Sequence, residues 1–73
     1  MQTTDIMIHI DETLDTVQQQ ALESRIRGLQ GVIAPRFNKP HLLLVAYNPD
    51  RTSSAVLLDA VKARGYTGRM VGL

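Results

Sequence analysis

Cysteine is absent from this 73-residue chain. Its absence excludes disulfides, on which domains this short often rely, and any thiolate metal site. No apolar run approaches the ~20 residues a bilayer requires; the longest is Leu42 to Tyr47. Basic residues form no run: Arg25, Arg27, Arg36, Lys39, Arg51, Lys62, Arg64 and Arg69 are scattered, and the net charge is +1. Nucleic acid is therefore not an expected partner, and membrane insertion is not expected either. Met1-Gln2-Thr3-Thr4-Asp5 carries no basic leader region, so no secretory signal is expected and the cytoplasm is the expected compartment. Linkers, repeats, low-complexity segments and Gly-rich phosphate loops are all missing.

What remains is an ordinary globular mixture, 44% apolar and 21% charged, of a length that makes residues 1–73 a single domain. Such a chain buries only about 60–65% of the surface its unfolded form exposes. With disulfides and thiolate-bound metal excluded, oligomerisation is the source of extra stability left open.

Asp5 to Asp11 places isoleucine at every second position, which predicts a half-buried strand with Ile6, Ile8 and Ile10 facing the core. The acidic segment Asp11 to Thr16 follows, with Thr13, Asp15 and Thr16 all able to cap a helix. A helix over Val17 to Leu29 is predicted from Leu22, Ile26 and Leu29, with Ala21 and Val17 on the same stripe. Gly28 and Gly31 bracket its end. Val32 to Asn38 reads as a second strand, and Pro35 confines it to an edge or bulge. Asn38-Lys39-Pro40 is a turn. His41 to Tyr47 has the apolar character of a central strand. After Asn48-Pro49-Asp50, Ser53 or Ser54 caps a second helix from about Ala55 to Arg64, with Val56, Leu57, Ala60 and Val61 toward one side. Gly68 to Leu73 completes the order.

The expected fold is α+β: a ferredoxin-like βαββαβ sandwich, a four-stranded antiparallel sheet with both helices on one face. The crossover rule is expected to place strands one and three side by side in the centre, running parallel, with strand two on an edge.

Within that frame, Leu29-Gln30-Gly31-Val32 resembles the helix-end signature of heavy-metal-associated domains. Tyr47-Asn48-Pro49-Asp50 resembles the turn before their second helix, and Leu57-Leu58-Asp59-Ala60-Val61 with Gly65-Tyr66 resembles that helix and its exit. The match spans nearly the whole chain. It implies kinship with small copper chaperones and the N-terminal modules of metal-pumping ATPases, and a chain ending after strand four resembles the stand-alone chaperone. The family's metal motif, Met-x-Cys-x-x-Cys, falls on Thr13 for the methionine and on Asp15 and Gln18 for the cysteines. Soft ions such as Cu(I) need sulfur ligands, which a carboxylate and a carboxamide do not replace. Tyr66 matches a tyrosine lying near the metal loop in bacterial copper chaperones.

Other ligand sets are open to weighing. Asp11, Glu12 and Asp15 supply carboxylates for a hard ion, although such sites need more oxygen ligands and Asp15 suits a helix N-terminus without any metal. His9 and His41 suggest zinc or copper(II). With parallel strands, however, they are expected to lie roughly 13 Å apart at about 3.3 Å per residue. Their phases also differ, His41 sharing that of Leu43, Val45 and Tyr47. A site joining two copies through His9 is the remaining histidine arrangement. No cofactor is expected, and the metal candidates are His9, Asp11, Glu12 and Asp15.

The sheet face turned away from the helices is unusually apolar. Leu42, Leu44 and Ala46 are expected to point outward beside Met7 and His9, forming a patch of a few hundred Å², the scale of an interaction surface. Catalysis is not expected. An acylphosphatase needs an arginine in the loop after strand one, where this chain carries Asp11, Glu12 and Asp15, while Arg36 and Asn38 come after the first helix. Ser53 and Ser54 lack a neighbouring base. The expectation is a non-enzymatic domain acting on a protein partner or a second copy. The alternatives are metal carriage by His/Asp/Glu ligands and a small-molecule regulatory module of the ACT type.

Overall fold

The computed structural model describes residues 2–71. Its elements run β1 (Thr4–Ile10), α1 (Thr16–Arg27), β2 (Val32–Lys39), β3 (Leu42–Tyr47), α2 (Ser54–Ala63) and β4 (Gly68–Val71). The last two residues of the expected final strand lie outside the described residues.

The strands form one sheet in the order β2-β3-β1-β4, and every neighbouring pair is antiparallel. The expectation that strands one and three run parallel is therefore corrected. The crossover through α1 makes β1 and β2 run the same way but leaves a gap of one strand between them. The tight turn at Pro40-His41 then folds β3 back into that gap, antiparallel to both. β2 takes the edge, as Pro35 requires. Its register slips between Val32 and Ala34 and again between Phe37 and Lys39. Glu23 of α1 reaches this edge and accepts the Phe37 N–H at 2.8 Å.

Period-two alternation sorts the central strands cleanly. Ile6, Ile8 and Ile10 of β1 and Leu43, Val45 and Tyr47 of β3 are buried, and they share one core with Leu22, Ile26, Leu57 and Val61 of the helices. Both helices therefore cover the same face. Val17 is 73% exposed and Val56 48%, and Ala21 is exposed as well, against the stripe expected for them. The reason is angular. At about 100° per residue, Val17 lies about 140° round the helix from Leu22, while Ala21 and Val56 lie about 100° from the buried Leu22 and Leu57. Among the described residues no helix is long and apolar enough to cross a membrane.

Candidate functional site

The loop joining β1 to α1 is held by three separate fastenings. Leu14 is buried and anchors the loop to the core. Glu12 accepts the Thr67 N–H at 2.7 Å, tying the loop to the start of β4. That backbone hydrogen bond holds the Glu12 carboxyl below its ordinary range. Asp15 is the N-cap of α1: its Oδ1 accepts the Gln18 N–H at 2.8 Å, and Gln18 Oε1 accepts the Asp15 N–H at 3.0 Å. This reciprocal pair is a capping box, satisfying two backbone donors that the helix start leaves orphaned.

Asp15 and Gln18, on which the resemblance sets the two cysteines, are an N-cap and the third helical residue, each side chain bonded to the other's backbone N–H. A dithiolate at the same spacing would close over an ion. Here the side chains close over the backbone instead, and neither atom set suits a soft cation. Thr13 is exposed, and Tyr66 is half-buried against the core. Asp11, Glu12 and Asp15 do not converge: one lies beside a histidine, one binds Thr67 and one caps the helix. Among the described residues no group of three or more His, Cys, Asp or Glu is placed to hold a metal ion.

The histidines are where sequence reasoning erred most. Antiparallel pairing sets the end of β1 beside the start of β3, with His9 opposite Leu42. The imidazoles of His9 and His41 consequently lie 5.9 Å apart, centre to centre, with planes inclined by only 16°. The phase argument for His41 failed because that residue precedes the strand, in the turn. Its Nδ1 lies 2.8 Å from the Ile10 carbonyl oxygen, and since a carbonyl only accepts, Nδ1 carries the proton. His9 Nδ1 lies 3.1 Å from Asp11 Oδ1. The same nitrogen is shut off from solvent and lacks an aligned hydrogen bond, so the contact with Asp11 is one of proximity alone.

Beyond the histidines, the outer sheet face carries Met7 opposite Leu44, Ala46 opposite Asp5, and Leu42 opposite His9. All five residues expected on this face, Met7, His9, Leu42, Leu44 and Ala46, are half-exposed. An open depression of about 270 Å³ lies over it, lined by Asp5, Ala34, Arg36, Leu44 and Ala46. Sequence phasing did not reveal Ala34 and Arg36 as part of this surface, because the bulges of β2 hide its register; Asp5 shares the phase of Met7 and His9 on β1.

No family model matches the sequence, and comparison with curated proteins finds no match. Solved structures do match. The N-terminal domain of a potential copper-translocating P-type ATPase from Bacillus subtilis, in the Cu(I)-loaded state, superposes with a TM-score of 0.88 at 25% identity, covering 97% of this chain and 90% of that one. Oxidized MerP from Ralstonia metallidurans CH34 gives 0.85 at 15% identity, covering 97% and 100%. A CopZ metallochaperone gives 0.81 at 19% identity, covering 93% and 100%. The chain has the ferredoxin-like fold of these heavy-metal-associated domains and no cysteine with which to form their motif.

Proposed function

We propose that the protein is a non-enzymatic domain that has lost thiolate metal capture and acts by protein contact through its open sheet face, in the first instance with a second copy of itself. The observation carrying this reading is the half-exposed row Met7, Leu42, Leu44 and Ala46, which lies across both central strands on the face that neither helix covers among the described residues. A monomer that needs no partner has little reason to set leucine at these positions, where a wet sheet face normally alternates to polar residues. The similar ATPase domain belongs to a potential copper-translocating pump, and CopZ is by name a metallochaperone. This chain retains their fold, but with Asp15 and Gln18 consumed in a capping box.

Charge on the face favours a second copy as the occupant. Asp5 stands at one end of the row, Arg36, paired with Leu44, beside its middle, and Lys39, paired with Leu42, and Arg69, paired with His9, at the other end. A two-fold axis running across the strands sets the acidic end of each copy over the basic end of its mate, as a self-complementary interface requires. Size-exclusion chromatography with light scattering tests the reading. Wild type is expected to run as a dimer at high micromolar concentration and Leu44→Asp as a folded monomer. A wild type that stays monomeric into the millimolar range would contradict it.

A further inference from the structure

We infer that His9 and His41 form a two-imidazole site for a borderline divalent cation of the Zn2+ or Ni2+ class. His9 and Arg69 border the sheet face proposed above as an interface, but both ligands come from one copy, so the site does not require the second. Imidazole nitrogen suits these ions, and the pair meets the distance requirement. A metal–nitrogen bond of about 2.1 Å puts each ring centre about 3.2 Å from the ion, so two rings sharing it have centres at most about 6.4 Å apart. The observed 5.9 Å falls inside that limit.

The proton arrangement is also the one that ligation needs. Histidines that bind metals characteristically donate their other ring N–H to a carbonyl or carboxylate, which fixes the tautomer and raises the basicity of the ligating nitrogen. His41 does this through Nδ1 to the Ile10 carbonyl at 2.8 Å. His9 Nδ1 lies 3.1 Å from the Asp11 carboxylate without an aligned hydrogen bond; in the inferred site it donates there once the ring turns. His41 is left with Nε2 as its lone-pair nitrogen, and the inferred site uses the same nitrogen of His9. The ring planes are nearly parallel, so the half-exposed His9 ring must rotate to aim at a shared ion, while His41 is held. Rotation about that bond is broad and inexpensive. Asp11 is a positioning residue here rather than a ligand, consistent with the absence of a three-ligand cluster among the described residues. Two protein ligands leave the remaining coordination to water and imply modest affinity. A cation that opposes the bound ion is Arg69, which pairs with His9 across β1 and β4.

Titration of the whole chain with ZnCl2 by calorimetry, and with NiCl2 by amide NMR, tests the site. Expected are saturable one-to-one Zn2+ binding in the micromolar range and Ni2+ broadening confined to residues near 9–11, 41–42 and 69. His9→Gln and His41→Gln are each expected to weaken Zn2+ binding at least tenfold, and Asp11→Asn several-fold. Arg69→Gln is expected to tighten it, a change no purely structural role of these residues produces. Should His41→Gln fail to fold for want of its bond to Ile10, His9→Gln carries the test. Leu44→Asp is expected to bind as wild type does, which separates the site from self-association. Absence of saturable binding, unchanged affinity in His9→Gln, or loss of binding in Leu44→Asp would overturn the monomeric site.

Discussion

Asp15 and Gln18 stand three residues apart, a spacing that serves two chemistries. With cysteines it lets two sulfurs meet over one ion; with a carboxylate and a carboxamide it closes a capping box of about 1 kcal/mol. The helix start therefore loses nothing structurally when the metal chemistry is given up. Glu12 makes a second residue-scale bond in the same loop, and it titrates. The Thr67 N–H favours the ionised carboxylate, so the folded-state pKa lies below the unfolded one. The stabilisation is accordingly complete above the ordinary carboxylate range and is lost as pH falls through the lowered folded value. The Thr67 amide shift is expected to titrate with an apparent pKa below that of a free glutamate, and Glu12→Gln to abolish that titration. A Thr67 amide indifferent to acid would contradict the assignment. At this scale the capping candidates were legible from residue type alone. Which of Thr13, Asp15 and Thr16 caps was not, because that depends on where the first turn begins.

At the scale of elements, strands were the more legible because their signal has period two. Isoleucine at every second place in β1 and the Leu43, Val45, Tyr47 phase of β3 both match the buried set. Helix stripes were read too wide, since spacings of five residues and of one fall off the buried face. Strand direction carried the largest consequence. No residue of β1 or β3 encodes direction; it follows from the short Pro40-His41 turn, and assuming parallel strands separated two histidines that are neighbours. The glycines closing these elements offer a paired test. Gly31 and Gly65 both adopt positive φ, at 89° and 88°. A Cβ on Gly31 would also meet Arg51 Cβ at 2.9 Å and the Arg51 carbonyl carbon at 3.2 Å, whereas Gly65 has open space. Gly65→Ala is expected to cost about 1 kcal/mol from backbone strain alone, and Gly31→Ala about 2 kcal/mol or more, adding steric displacement. Urea melts of the two variants decide it, and equal costs would contradict the crowding at Gly31.

For the whole molecule, the architecture is shared with heavy-metal-associated domains at identities of 15–25% among those compared. In this chain the β1–α1 loop is closed by the Asp15–Gln18 capping box and tied to Thr67 by Glu12. The apolar face and the histidine pair are what the chain carries besides the inherited fold. Both were partly visible in sequence: the face through phase, and the histidines only as isolated residues until the sheet joined them. The claim on which the account turns is that soft-metal capture was lost by exchange of ligands within an intact loop. A competition titration of Cu(I) against a colorimetric chelator under reducing conditions, comparing wild type with Asp15→Cys/Gln18→Cys, measures this directly. Wild type is expected to leave the chelator complex untouched and the double variant to withdraw one Cu(I) per chain; a wild type that withdraws Cu(I) from the chelator would contradict the account.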